Sequence, residues 1–114
     1  MLEALTTLRP NGTLRSVKAL LLTQTRVAYT ESSFAEIVVW EVPHPLEGSA
    51  HSYKYRLAFV VDGVCVLRYD NESGKGDHRH TLDGEARYRF LSLEKLFADF
   101  DRDIRRLMHE DRNT

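Results

Sequence analysis

The sequence predicts an α+β fold, an antiparallel β-meander of about four strands with a C-terminal amphipathic helix packed on one face. Runs rich in β-branched and aromatic residues recur from Val17 to Asn71, and such residues favour strands. Asp62-Gly63 separates two of these runs, and this dipeptide is the strongest short-range signal of a β-hairpin. Apolar residues at helical spacing then form one stripe after Ser92, which predicts a helix with a buried face.

The predicted strands are separated by residues that end regular structure. The segment Thr30–Ser33 turns the chain between the first and second strands, and Pro43-His-Pro45 interrupts it after the second. Strands joined by such short connections are expected to be antiparallel neighbours in one sheet. The four strands are Val17–Tyr29, Phe34–Val42, Tyr53–Val61 and Val64–Asn71.

The Asp62-Gly63 hairpin also predicts which residues face each other across its strands. With a two-residue turn, Val61 opposes Val64, and the hairpin is apolar on both faces near the turn and polar on both faces at its open end. The predicted pairs toward that end are Leu57 with Arg68, Arg56 with Tyr69, and Tyr55 with Asp70. The polar side chains expected to gather there are Lys54, Arg56, Arg68 and Asp70.

The helix near the C-terminal end can cover only one face of the sheet. Ser92 can cap its first turn, and Glu94 suits the positive end of the helix dipole. The second apolar face is expected to be covered by Leu2, Leu5 and Leu8, or by a partner protein such as a second copy in a homodimer. The buried stripe of the helix consists of Leu93, Leu96, Phe97, Phe100, Ile104, Leu107 and Met108.

Length and composition indicate one ordinary globular domain. The chain has 114 residues, 42% hydrophobic and 29% charged, and we divide it into an N-terminal segment 1–16, a domain 17–110 and a tail 111–114. No apolar run is long enough to span a membrane, and the first residues lack the layout of a signal peptide. The single cysteine, Cys65, lies in an apolar strand and is expected to be a buried small hydrophobe, so a cytoplasmic location is predicted.

The most polar part of the sequence is Asp70-Asn-Glu-Ser-Gly-Lys-Gly-Asp-His-Arg-His80, which is predicted to be a loop. Its glycines, Gly74 and Gly76, allow the backbone to approach a ligand closely. Imidazole, present twice, changes charge near neutral pH. A net charge of −1 is not that of a general nucleic-acid binder, so any contact with RNA has to come from this local cluster. A solvated loop without function is the structural alternative.

Together with the preceding strands, this block has the kinds of side chain that metal-independent cleavage of RNA requires. Histidines can move protons at the 2′-hydroxyl and at the leaving oxygen, and cations can hold the phosphate. Tyrosines offer surfaces on which unpaired bases stack. The predicted catalytic residues are His78, His80, Lys75 and Asp77. The predicted substrate-binding residues are Lys54, Tyr55, Arg56, Arg68, Asp70 and Arg79. No metal or other cofactor is predicted.

Two other kinds of site compete with this interpretation. His78 and His80 lie two residues apart, so on an extended chain both rings could reach one metal ion with Asp70, Asp77 or Asp83. Catalytic zinc requires three protein ligands, and the sequence indicates only two strongly. The Gly-Lys-Gly string could also bind a nucleotide phosphate without cleaving it, although the spacing and the Lys-Ser/Thr pair of a P-loop are missing.

Several segments of the chain carry a family resemblance. They are Val38-Val-Trp-Glu-Val-Pro43, Tyr53-Lys-Tyr-Arg56, Val60-Val-Asp-Gly-Val-Cys-Val-Leu-Arg-Tyr-Asp-Asn71, Gly74-Lys-Gly-Asp-His-Arg-His80 and Phe90-Leu-Ser-Leu-Glu94. In these segments the chain resembles the TumE-type toxin family of bacterial and archaeal toxin–antitoxin modules, over about residues 17–108. The resemblance implies a type II toxin whose partner is a cognate antitoxin, usually one with a helix-turn-helix domain.

Two functions of different classes follow from these observations. The first is a toxin that acts on RNA as a ribonuclease, in which the toxin assignment comes from the resemblance and the cleavage of RNA from the kinds of residue present. The alternative is a non-catalytic module that binds nucleic acid or a protein partner through the same cluster. Replacement of His78 and His80 distinguishes the two, since only a catalyst would lose toxicity while it retains binding.

Overall fold

The computed structural model of the chain describes the backbone of residues 4–8 and 14–112 and the side chains of residues 18–110. In these residues, eight strands precede one helix. The strands are β1 (Ala4–Leu8), β2 (Leu14–Lys18), β3 (Leu20–Thr30), β4 (Ser33–Glu41), β5 (Tyr53–Val61), β6 (Val64–Glu72), β7 (Gly76–Thr81) and β8 (Gly84–Arg87), and the helix is α1 (Leu93–Arg112).

Strands β3 to β8 form one antiparallel sheet in the order of the sequence, and β1 pairs with β2 in a separate two-stranded sheet. The predicted α+β meander is thus confirmed, but its main sheet has six strands instead of about four. The two additional strands are β7, which takes up much of the predicted polar loop, and β8, which follows the turn at Asp83-Gly84. Only Ser73–Lys75 turn the chain, and residues 76–81 return as β7 and pair with β6 along its length.

Helix α1 packs on one face of the main sheet, which we call the covered face. Side chains alternate between the two faces of a strand. The odd-numbered residues of β4, β5 and β7, and those of β6 from Leu67 onward, share the covered face because they pair with one another across the sheet. The core joins these positions to the apolar stripe of α1, as predicted from its helical spacing. Its buried members are Ala35, Val39, Tyr55, Leu57, Phe59, Leu67 and Tyr69 from the sheet and Leu96, Phe100 and Ile104 from the helix.

A β-bulge at Val66 changes the register of the β5–β6 hairpin. Val60 pairs with Cys65 as predicted, but Phe59 pairs with Leu67, so Val66 has no partner on β5. Beyond the bulge every predicted pair is wrong by one residue, and Arg56 pairs with Asp70 instead of Tyr69. A one-residue shift turns each side chain to the opposite face. The bulge therefore moves the polar residues of β6 to the face that α1 does not cover.

The opposite, uncovered face of the main sheet has no second helix over it among the described residues. Cys65 lies on this face beside the hairpin turn and is exposed, so the prediction of a buried cysteine is wrong. Trp40, also on this face, is only half-buried. The side chains of Leu2, Leu5 and Leu8, which were predicted to cover this face, lie outside the described residues. In the described part of the chain, no helix is long and apolar enough to cross a membrane.

Ser92 caps α1, as the sequence predicts. Its hydroxyl oxygen accepts a hydrogen bond of 3.0 Å from the backbone N–H of Lys95. Replacement by alanine leaves this N–H without its partner, and we expect Ser92→Ala to lower the free energy of unfolding by about 1 kcal/mol. Urea denaturation measures this loss. Ser73→Ala, in an exposed turn, is the matched control and should change stability little. An equal loss in both variants would show that the cap contributes nothing.

Candidate active site

Cross-strand pairing on the uncovered face brings His78 and His80 together with charged residues of three other strands. Residues two apart on β7 point to the same face. Each of the two histidines therefore belongs to one of two adjacent rows of side chains that cross the sheet. The first row is Arg56 (β5), Asp70 (β6), His78 (β7) and Arg87 (β8). The second row is Ala58, Arg68, His80 and Glu85.

Both ring nitrogens of His80 lie near carboxylates. Its Nε2 is 3.2 Å from Oδ1 of Asp70, and its Nδ1 is 3.5 Å from Oε2 of Glu85. Asp70 also lies 3.0 Å from Nε of Arg68, which is buried and poorly aligned for a hydrogen bond with it. His80 therefore has an acceptor close to each N–H of its protonated ring, and its side chain is 25% exposed to solvent.

His78 has a defined tautomer when it is neutral. Its Nδ1 lies 3.2 Å from the backbone carbonyl oxygen of Gly76, which can only accept a hydrogen bond, so Nδ1 carries the proton. The lone pair is then on Nε2, which is 3.7 Å from a carboxylate oxygen of Glu85. The rings of His78 and His80 are 6.3 Å apart between centroids, which leaves room for a phosphate group that contacts both.

Two arginines frame the first row and have no ion-pair or hydrogen-bond partner among the described residues. They are Arg56 and Arg87, both exposed. A guanidinium that is not engaged by the protein can hold a phosphate through two parallel hydrogen bonds. Next to Arg56, Lys54 donates a hydrogen bond to the backbone carbonyl of Asn71 and lies opposite Trp40, whose half-buried ring is on the same face.

The covered face takes the other predicted residues of β5 and β7. Tyr55 is 1% exposed, too buried to stack with a base. Arg79 donates a hydrogen bond of 2.8 Å from Nε to Asp103 of α1, so its charge is used in the fold. Asp77 lies on the same face, away from the histidines.

Lys75 is in the turn before β7, exposed, and 3.7 Å from a carboxylate oxygen of Glu72. The structure thus unites His78, His80, Arg56, Arg68 and Asp70, and separates them from these four residues.

Asp77 is the centre of a buried hydrogen-bond network. It accepts hydrogen bonds from the hydroxyls of Ser49 at 2.6 Å and Tyr55 at 2.7 Å. Nε2 of His51 is 2.6 Å from Oδ2, the oxygen that also accepts the hydrogen bond from Tyr55. Burial, and then the hydrogen bond to Asp77, raise the pKa of Tyr55 far above its usual value, so the phenol remains a donor. The network fastens the loop 42–52 to the sheet through Asp77, which was predicted as a catalytic residue and lies here on the covered face.

His51 belongs to this network, and only 11% of its side chain is exposed. Its Nδ1 accepts a hydrogen bond of 3.2 Å from the backbone N–H of Tyr53, so the proton of the ring is on Nε2 and is donated to Asp77. Its ring also stacks on Phe90 at 3.8 Å between centroids. Both nitrogens are occupied, and His51 therefore has no free lone pair with which to act as a base in this arrangement.

The glycine before Asp77 serves the contact between two backbones. Gly76 has φ of +76°, and a Cβ atom on it would lie 2.6 Å from the carbonyl oxygen of Gly48. The N–H of Gly74 donates a hydrogen bond of 2.7 Å to the carbonyl of Glu47. The sequence suggested that the backbone at the glycines could approach a ligand closely. At Gly76 the backbone instead approaches the loop 42–52 of the same chain.

Sequence reasoning missed Glu85 and Arg87. The signal was present, since Asp83-Gly84 is a turn dipeptide like Asp62-Gly63, and a hairpin there predicts that β8 returns beside β7. That pairing sets Arg87 opposite His78 and Glu85 opposite His80. Among residues 18–110, no group of three or more His, Cys, Asp or Glu side chains is placed to hold a metal ion.

Comparison with known families identifies the chain. The sequence model described as Toxin TumE matches residues 14–108, which is most of the molecule. The chain belongs to the TumE toxin family. A TumE toxin is one component of a toxin–antitoxin system, and its partner is a cognate antitoxin. No curated protein and no solved structure matches this TumE chain.

Proposed function

We propose that this TumE toxin is a metal-independent ribonuclease whose active site is the uncovered face of the main sheet. One observation carries the proposal: two histidines lie 6.3 Å apart on that face, and the row through His78 ends in two unpartnered arginines, Arg56 and Arg87. Proton-transfer groups and free cations are the two components that phosphodiester cleavage without a metal requires.

The tautomer of His78 supports the role of base for this residue. Its Nε2 lone pair takes the proton of a ribose 2′-hydroxyl, and the oxygen attacks the adjacent phosphorus. The bond from phosphorus to the 5′-oxygen of the next nucleotide breaks as that oxygen takes a proton from His80. The products are a 2′,3′-cyclic phosphate and a free 5′-hydroxyl, while Arg56 and Arg87 stabilise the charge on the phosphate oxygens.

Asp70 and Arg68 are positioning residues in this proposal. Asp70 accepts a hydrogen bond from Nε2 of His80 at 3.2 Å and lies 3.0 Å from Nε of Arg68, so the guanidinium fixes the carboxylate and the carboxylate orients the ring. Substrate must then approach His80 from the solvent side of the sheet. Such a toxin acts in the cytoplasm, where its RNA is found, through the domain formed by residues 17–110.

The antitoxin is proposed to carry a helix-turn-helix domain and to bind the toxin over the same uncovered face. Two features support this face as an interface. It bears the exposed Cys65 and the half-buried Trp40, and in the described residues no helix covers it. An antitoxin in that position blocks RNA from both histidines. A homodimer that uses the face in the absence of antitoxin is the corresponding proposal for the free toxin.

Incubation of the purified chain with cellular RNA tests the proposal. We expect cleavage that continues in the presence of a chelator and that leaves 2′,3′-cyclic phosphate and 5′-hydroxyl ends. Single-stranded DNA of the same sequence should remain intact, because it lacks the 2′-hydroxyl. Binding of RNA with no cleavage would support the non-catalytic module instead. Cleavage that stops on chelation would contradict the metal-independent mechanism.

A further inference from the structure

A cleft of about 550 Å³ lies at the edge of the main sheet, where β7 begins and β8 ends. Its volume is within the range of sites that bind small molecules, about 300–1,000 Å³. The side chains that carry the argument are His51, Asp77, Arg87, Arg89, Phe90 and Leu91. Of the site residues predicted from the sequence, only Asp77 lines this cleft. Of the residues that line it, the proposed cleavage reaction uses only Arg87.

The side chains that line the cleft carry a net positive charge, from Arg87 and Arg89 against Asp77. Arg87 and Arg89 have no ion-pair or hydrogen-bond partner among the described residues. The carboxylate of Asp77 is engaged by Ser49, His51 and Tyr55. The lining residues thus include two arginines without a partner and one carboxylate that already has its hydrogen bonds, and an anionic group is the ligand that suits this set.

The cleft also offers a flat apolar surface. The ring of Phe90 is held by His51, with 3.8 Å between centroids and an interplanar angle of 28°. Leu91, beside it, is 56% exposed. A ring that is fixed on one side by stacking can receive a planar group against the surface it shows to the cleft. Nucleobases stack on aromatic side chains in this way, whatever their sequence.

Arg87 connects the cleft with the row of His78. It pairs with His78 across β7 and β8, and it lies in the wall of the cleft as well. We infer that the cleft binds the nucleotide next to the pair that the scissile phosphate joins, with Arg89 on the phosphate that links this third nucleotide and Phe90 against its base. The inference rests on the proposed function and adds a subsite to it, since a strand of RNA that crosses His78 and passes Arg87 enters the cleft.

Binding of uncleavable RNA tests the subsite without relying on catalysis. The probes are a 2′-O-methyl dinucleotide and the same molecule extended by one nucleotide at its 5′ or 3′ end, since the methyl group removes the attacking hydroxyl. We expect extension at one end to strengthen binding about tenfold, the gain of one good stacking or charge-assisted contact. Arg89→Ala should lose this gain and bind the dinucleotide as before.

Two further variants make the comparison specific. Arg89→Lys keeps the charge but not the planar fork, and should retain only part of the gain. Arg105→Ala removes an exposed arginine of α1, which pairs with Asp101 at 2.8 Å, and should keep all of it. Binding is read by fluorescence anisotropy at one fixed salt concentration. A full gain in Arg89→Ala, or no gain from extension in the unmodified chain, would overturn the subsite.

The result separates failure of the subsite from failure of the proposed cleavage. Unmodified RNA that remains uncleaved, in the same preparations, counts against the ribonuclease but leaves the binding comparison readable. If Arg89→Ala binds both probes normally and instead loses affinity for the antitoxin, the cleft belongs to the protein partner, and the nucleotide subsite is wrong.

Discussion

Replacement of both His78 and His80 by alanine is expected to reduce RNA cleavage at least about a hundredfold and to abolish growth arrest. Proton transfer by a positioned side chain typically accelerates such a reaction by about 10²–10⁴. Neither histidine is in the core, because both lie on the uncovered face with 15% and 25% of their side chains exposed. The variant should therefore fold, and cleavage of a labelled oligoribonucleotide measures the loss.

The single variants should differ in how the rate depends on the leaving group. His80→Ala removes the proposed acid, so a substrate in which sulfur replaces the 5′-oxygen, whose thiolate leaves without a proton, should restore its cleavage. His78→Ala removes the proposed base and should stay inactive on the same substrate. His44→Ala is the matched control, since His44 is exposed in the loop 42–52 and lies outside both rows. A double variant that still arrests growth fully would refute the mechanism.

Substitution of Gly76 by alanine is expected to have the largest effect on stability among replacements of the glycines that the structure describes. The added Cβ would lie 2.6 Å from a carbonyl oxygen of Gly48, and the backbone at φ of +76° disfavours any side chain. We expect the free energy of unfolding to fall by about 3 kcal/mol or more, from strain in the left-handed region together with overpacking. Urea denaturation measures it.

Gly74→Ala provides the matched comparison. Gly74 has φ of +86° but nothing within 4 Å of the position of a Cβ atom, so alanine there bears only the backbone strain, about 1–2 kcal/mol. The excess loss in Gly76→Ala reports the contact of the β6–β7 turn with the loop 42–52. Equal losses in the two variants would show that this contact adds nothing to stability.

Local sequence was enough to predict most of the regular structure. Asp62-Gly63 located the β5–β6 hairpin, because few other dipeptides adopt the backbone of a tight turn. The apolar stripe and Ser92 located α1 and its start, because period and capping are properties of neighbouring residues. The spacing of His78 and His80 likewise predicted that both rings could reach one site.

The tertiary structure decided which faces these residues occupy. The single unpaired residue Val66 reversed the alternation of β6, and with it the face on which Arg68 and Asp70 lie. A bulge depends on the fit between two strands and the layers around them, so alternation in one strand does not reveal it. The hydrogen bonds of Asp77 with Ser49 and His51 could not be predicted either, because these two residues lie in a loop more than twenty residues earlier in the chain. Sequence spacing specifies the order of side chains along a strand, whereas contacts between distant segments determine which of them meet.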